Sequence, residues 1–345
     1  MELALVAAEK GWLPDPVIRW GIRKLVTERH EEETARLKSG GTKAWIDSLA
    51  QAPIALATDD ANDQHYEVPP EFFQQCLGGN LKYSGCDWVN GAATLTEAET
   101  ESLDLICKRA QLVNGQRILE LGCGWGSLSL WMASRFPKAT IVSVSNSNPQ
   151  REYIENEARQ RGLTNLTVLT CNMVEFEPEG TFDRIVSVEM FEHMRNWPAL
   201  LKRCHSWLSS NGKMFLHVFA HQDFAYPFEG ADSSNWMARE FFTGGMMPSH
   251  SMLSELDIPF SVEDKWWIPG EHYAKTAEAW LENIDARRGD ALGIFKEHYG
   301  RDAGRVVQRW RIFFMACAEL FGYSGGREWG VSHHLLSASP MDEEA

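Results

Sequence analysis

The segment Val188-Glu189-Met190-Phe191-Glu192-His193-Met194 sets two carboxylates and an imidazole within five residues. If the backbone turns helical there, Glu189 lies one turn from both Glu192 and His193, and all three can share a face. Such a group suits an amine, because paired carboxylates attract an ammonium ion and a neighbouring His or Glu can take its proton. An alkylamine with a pKa near ~10 is neutral in only about one molecule in ~10³ at pH 7, so a nucleophilic nitrogen needs that help. An exposed acidic turn is the plain alternative. A second group, Glu120-Leu121-Gly122-Cys123-Gly124-Trp125-Gly126, ends an apolar run and opens a helical one. Glycines there let a ligand approach the backbone with no Cβ in the way, which points to a nucleoside-type cofactor, with a structural turn as its alternative.

Both groups need a scaffold that brings strand ends together. The spacing predicts helix Glu97–Ala110, strand Arg117–Leu121, helix Gly126–Arg135, strand Thr140–Ser145 and helix Pro149–Arg161. Strands Leu166–Thr170 and Asp183–Val188, a helix about Ala199–Leu208 and strand Lys213–Phe219 follow. This alternation gives βαβ units and a parallel sheet, whose strand carboxyl ends are where ligands bind. The expected organisation is a helical N-terminal extension and lid over 1–95, a Rossmann-like core over 96–219, an aromatic-rich cap over 220–275, and C-terminal helices with a final strand over 276–338. Helices are expected near Thr276–Arg288 and Arg305–Phe321, and the last strand over Trp329–Leu336.

Composition narrows the partners. The 33 basic and 48 acidic side chains leave a net charge of -15, which disfavours nucleic acid and anionic lipid surfaces. The seven cysteines show no regular spacing, so neither a disulfide framework nor a metal site is expected. Charges at Glu2, Glu9, Lys10 and Asp15 interrupt the apolar core a signal peptide needs, and no run of about 18 uncharged apolar residues spans a membrane. A cytoplasmic enzyme is expected, with a homodimer among its possible assemblies and no stable membrane association.

The acid that precedes the glycines, Glu120, separates this loop from a dinucleotide fingerprint, which places its acid at the end of the next strand. E-L-G-C-G-W-G resembles the first motif of class I S-adenosylmethionine-dependent methyltransferases, whose acid sits near the methionine moiety. Taken in order, H-Y-E-V-P, Y-S-G-C, E-L-G-C-G-W-G-S-L, V-E-M-F-E-H-M, R-E-F-F-T-G-G-M-M-P-S, C-A-E-L-F-G-Y and E-W resemble coclaurine N-methyltransferases. Those belong to a superfamily shared with the cyclopropane-fatty-acyl-phospholipid synthases, and the match runs from about residue 60 to 336.

The resemblance implies a doubly wound, seven-stranded α/β fold, S-adenosylmethionine as cofactor with S-adenosylhomocysteine as product, and a small-molecule amine as acceptor. It assigns catalysis and amine binding to Glu189, Glu192 and His193. Cofactor contacts fall to Tyr83, Ser84, Glu120, Gly122, Gly124, Asn146, Ser147, Gln150, Asn172, Met173 and Val188. Substrate-side contacts fall to Glu67, His217, Phe241, Phe242 and Trp329. Cyclopropane synthases hold a bicarbonate base with Glu, His, Tyr and Cys side chains. Glu192, His217, Cys86 and Cys317 match that set, Cys317 being either catalytic or a buried small residue. Leu281, following Trp280, stands where the tyrosine aligns, so an incomplete bicarbonate site is expected. The synthases usually carry Gly where Glu189 stands, and the extra carboxylate favours an amine. The His333-His334 pair reads as structural. Two rivals stay open: a lipid methyltransferase or cyclopropanating enzyme, and a cofactor-binding protein without catalysis.

Overall fold

The computed structural model describes residues 2–56, 68–228 and 236–339. A short connector ending at Pro14 separates helix α1 (Glu2–Glu9) from α2 (Asp15–Lys38), whose first turn contains Pro16, and α3 (Gly41–Ser48) completes the extension. Helix α4 (Pro70–Cys76) buries Phe72, Phe73 and Cys76. Helix α5 (Leu95–Arg109) opens with a capping box in which Thr94 accepts from the Glu97 N–H and the Glu97 carboxylate accepts from the Thr94 N–H.

The alternation read from the sequence then follows closely. Strand β1 (Arg117–Leu121), α6 (Ser127–Arg135), β2 (Thr140–Ser145), α7 (Asn148–Gln160), β3 (Leu166–Thr170) and β4 (Phe182–Val188) lead through a single tight turn, Phe191–His193, into α8 (Trp197–Ser206) and β5 (Leu208–His221). The segment read as a cap divides in two. Its first part holds β6 (Tyr226–Pro227), α9 (Trp236–Phe241), β7 (Met246–Met247) and α10 (Met252–Glu255), whereas β8 (Phe260–Pro269) is a strand of the main sheet. Helices α11 (Gly270–Ala286), α12 (Arg288–Tyr299) and α13 (Ala303–Phe321) and strand β9 (Trp329–Ala338) close the chain.

The seven sheet strands lie in the order β3-β2-β1-β4-β5-β9-β8. Strands β1 to β5 pair in parallel, and β9 runs antiparallel to both β5 and β8. The order reverses between β1 and β4, so the glycine loop after β1 and Glu189 after β4 open onto one crevice. Of the elements that escaped the sequence reading, β8 and α12 are the longest. Strand β8 is an edge strand with Glu263, Asp264 and Lys265 in its middle, which interrupts its alternation. Helix α12 contains Gly289 and Gly293 and buries only Ala291 and Phe295.

A strap, residues 78–88, crosses the mouth of the crevice and is fastened from both sides. The buried Glu99 carboxylate of α5 accepts backbone N–H groups from Gly78 (2.8 Å), Asn80 (2.7 Å) and Lys82 (3.3 Å). Further along, the N–H groups of Cys86 and Trp88 donate to Thr276 Oγ1 (3.2 Å) and His272 Nδ1 (2.8 Å) of α11. The N-terminal extension is held to the same helical layer: Arg311 bridges Asp15 (2.6 Å) and Asp285 (2.5 Å), and Arg19 pairs with Glu278 (2.6 Å). Replacing Glu99 by Ala leaves three backbone donors without their acceptor. That change is expected to cost about 3 kcal/mol, read as a lower urea midpoint.

Candidate active site

Glu189 follows β4 with a left-handed backbone (φ 48°), an uncommon conformation for a residue with a Cβ. Its N–H extends the β4–β5 pairing by donating to the His217 carbonyl (2.8 Å), after which the chain swings away from the sheet. The carboxylate is thereby aimed at the strap and α11. Oε1 accepts from the Gly85 N–H (2.8 Å) and from His217 Nε2 (3.1 Å), and Oε2 accepts from the Tyr273 hydroxyl (2.8 Å). Burial pushes this carboxyl up, but His217, the charge of Lys82 and the Gly85 N–H outweigh it and hold the group below its ordinary range.

The expected shared face does not form, because Glu189 is not helical and only Phe191–His193 make a turn. Glu189 and His193 line a cavity of about 1040 Å³, while Glu192 points into the protein and is fully buried. Glu192 Oε1 accepts from the Phe219 N–H (2.7 Å), and Oε2 has no partner among the described residues. Burial, then the negative charge of Glu189, push the Glu192 carboxyl well above its ordinary range. The two carboxylates are therefore split into one ionised and one neutral group, the usual result when like charges share a low-dielectric site. His193 stacks on Phe242 with ring centres 5.6 Å apart.

A second cavity, about 610 Å³, adjoins the first and shares Gly122, Gly124, Gln150, Met190 and His193 with it. Tyr83, Ser84, Glu120 and Val188 line the larger cavity, and Asn146, Asn172 and Met173 the smaller. Ser147 lines neither; it caps α7 by accepting from the Gln150 N–H. Gly122 (φ 79°) is required as such, since a Cβ would sit 2.6 Å from the Met190 side chain. Glu120 is buried at the methionine-side end, accepting from Ser129 and from Ser143 (2.7 Å). Burial pushes its carboxyl up to about 7, the two hydroxyls opposing. An acid at one end, a backbone-lined neck and amide side chains at the other are of a kind to fit S-adenosylmethionine, with Glu120 able to face its amino-acid ammonium and Asn146 and Asn172 its nucleoside.

Several expected contacts lie behind the cavity wall. His217 and Cys317 do not line it, and Cys317 is a buried thiol pushed further up by burial and by the charge of Glu189. Phe241 stacks on Phe313 (4.1 Å) and contributes through it, whereas Phe242 reaches the cavity. Trp329 is fully buried, its Nε1–H donating to the Tyr226 hydroxyl (3.2 Å), and is packing rather than lining. Glu67 lies outside the described residues. Two helical turns before Leu281 on α11, another tyrosine, Tyr273, reaches Glu189. It went unseen because α11 begins at Gly270, ahead of the expected start. Lys82 was also missed: it is buried in the strap and donates to Ser84 Oγ (2.7 Å) and the Gly85 carbonyl (2.5 Å), next to the cavity. His333, read as structural, meets His217 ring to ring, Nε2 to Nδ1 at 2.8 Å.

The reversal point of the sheet, the glycine neck and the twin cavities define a class I S-adenosylmethionine-dependent methyltransferase. Residues 56–325 match the family model for mycolic acid cyclopropane synthetase, and the chain belongs to that family. It is 36% identical over 341 residues to (S)-coclaurine N-methyltransferase of Thalictrum flavum subsp. glaucum, covering 95% of this chain and 93% of that one. The crystal structure of coclaurine N-methyltransferase bound to N-methylheliamine and S-adenosylhomocysteine superposes with a TM-score of 0.90 at 35% identity, covering 96% and 98% of the two chains. The mycolic acid cyclopropane synthase CmaA1, complexed with S-adenosylhomocysteine and CTAB, gives a TM-score of 0.69 at 25% identity, covering 82% and 99%. The chain is thus an S-adenosylmethionine-dependent N-methyltransferase, similar to coclaurine N-methyltransferase along nearly its whole length.

If Glu120 faces the amino-acid end of the cofactor, binding is expected to be pH-dependent. With its carboxyl pushed up to about 7, protonation below that pH would remove its attraction for a cationic group. Affinity for S-adenosylhomocysteine should fall as pH drops from about 8 to about 6, approaching a limit of about tenfold per unit, and Glu120→Gln should flatten the trend. Calorimetric titration of both proteins checks this; equal pH profiles would contradict it.

Proposed function

We propose that the methyl acceptor is the nitrogen of a small amine with an apolar, aromatic body, held as its ammonium by Glu189 and relieved of its proton by His193. The observation that carries this reading is an ionised carboxylate on the wall of a cavity whose lining also includes the aromatic rings of Tyr83, Trp125, Phe219, Phe242, Trp280 and Phe313. Aromatic faces beside a carboxylate favour an organic cation. The relatives that support the reading act on amines of that kind by name, coclaurine among them.

Bound S-adenosylmethionine supplies a methyl group made electrophilic by its sulfonium. The chain's residues do the rest. Glu189, low in basicity, fixes the ammonium without taking its proton. His193 stands at the junction of the two cavities, where its imidazole can accept that proton. The freed nitrogen lone pair then forms the new N–C bond as the methyl–sulfur bond breaks. Glu192, neutral and buried, adds no second negative charge beside Glu189 and keeps the Phe219 strand end in place. Holding nitrogen and methyl in line is a large part of the acceleration.

The lipid reading loses its support at Glu189. His217, which the resemblance assigns to a bicarbonate ion, and Tyr273 both donate here to the chain's own carboxylate.

Incubation with S-adenosylmethionine and a panel of benzylisoquinoline- and phenethylamine-like amines, beside unsaturated phospholipid vesicles with and without bicarbonate, should add one methyl mass to amines only. A gain on acyl chains alone would overturn the proposal. Glu189→Gln is expected to raise the amine KM at least ~10-fold with a smaller change in kcat, and His193→Ala to lower kcat at least ~10²-fold, in steady-state assays.

A further inference from the structure

Behind Glu189 a file of ring nitrogens runs through the sheet to a guanidinium. His217 Nε2 lies 3.1 Å from Glu189 Oε1, His217 Nδ1 lies 2.8 Å from His333 Nε2, and His333 Nδ1 lies 2.7 Å from Arg109 Nη1. His217 on β5 and His333 on β9 are paired residues of adjacent strands, and Arg109 reaches them from the last turn of α5 across 224 positions of sequence. Both imidazoles are buried, and Arg109 is half-buried with its guanidinium over the Trp266 ring.

A guanidinium has donors only. His333 Nδ1 must therefore be an acceptor without a proton, and the neutral ring carries its proton on Nε2. That N–H donates to His217 Nδ1, which in turn must be bare, so His217 carries its proton on Nε2 and donates it to Glu189. No other assignment of neutral rings satisfies all three contacts. A second proton on His217 would put an N–H on Nδ1, facing the His333 N–H; relief would require His333 to turn its proton toward Arg109, donor against donor. Burial acts in the same direction, bringing His217 down to about 4 and His333 well below its ordinary range.

We propose that Arg109 and His333 are positioning residues that keep His217 a neutral donor, so that the negative charge of Glu189 is not cancelled by an imidazolium and is left for the substrate's ammonium. This rests on the amine reading of the cavity. An unlocked His217 would take a proton and pair with Glu189, competing with the substrate for the same carboxylate. The charged and titratable groups around this pair are Lys82 on the strap, Glu192 beyond β4, Tyr273 on α11, Cys317 on α13, and Arg109 with Asp87 near it. Lys82 works with Arg109 against a charged His217.

The test uses the full chain and Arg109→Lys, Arg109→Met and Arg109→Glu, with two readouts. Imidazole ¹⁵N spectra should show His217 and His333 of the wild type as neutral Nε2–H tautomers between about pH 5.5 and 8.5. The Lys variant should keep that pattern. Met and Glu should let His217 titrate within the window and raise the amine KM by about 10-fold or more, leaving the KM for S-adenosylmethionine and the thermal midpoint nearly unchanged. Wild-type His217 seen as an imidazolium or an Nδ1–H tautomer would overturn the proposal, as would an unaltered His217 and amine KM in the Met and Glu variants. If no amine is methylated by the wild type, the spectra still decide the lock, and the fault lies with the substrate reading instead.

Discussion

An ionised carboxylate that is only 10% exposed must be surrounded by donors, and this requirement at Glu189 organises the molecule around it. The donors come from three places far apart in sequence: the Gly85 N–H on the strap, His217 on β5, and the Tyr273 hydroxyl on α11. Each must be delivered to within about 3 Å, so each carrier is itself fixed. Glu99, Thr276 and His272 pin the strap, and the β5–β9 ladder sets His217 against His333. Tyr273 is stacked flat on Phe321 with ring centres 4.1 Å apart. The left-handed backbone at Glu189 is the local strain that this set of contacts sustains.

The same arrangement separates two tasks that a pair of adjacent carboxylates performs poorly together. Glu189 accepts three hydrogen bonds and stays anionic, while Glu192, three residues on and with one hydrogen-bonded oxygen, stays neutral. On the proposed reading, holding a cation and removing a proton fall to different groups, with His193 placed where the two cavities meet. Within a family that includes cyclopropane synthases, the internal carboxylate held by His217 and Tyr273 is the feature on which the proposed preference for a positively charged acceptor rests.

The parallel half of the fold was legible because its strands β1, β2 and β3 are short apolar runs separated by amphipathic helices, and their predicted limits coincide with those observed. The glycine neck and the Glu189–His193 cluster were legible for the same local reason. What escaped depends on tertiary geometry. Glu189 and Glu192 do not share a face, because a left-handed residue reverses the direction helical spacing implies. Tyr273 lies on a helix whose first turn carries Glu271 and His272, so its start was placed too late. The pairing of His333 with Arg109 has no local signature at all, and Lys82 looks like an ordinary surface lysine until the strap folds over it.

The central claim is that the cavity recognises a charge, and not merely an aromatic shape. The most direct measurement is calorimetric binding, to the protein saturated with S-adenosylhomocysteine, of a cyclic benzylic amine and of its neutral isostere with carbon in place of nitrogen. The account predicts that the ammonium binds at least ~10-fold more tightly than the isostere. Equal affinities for the two would contradict it.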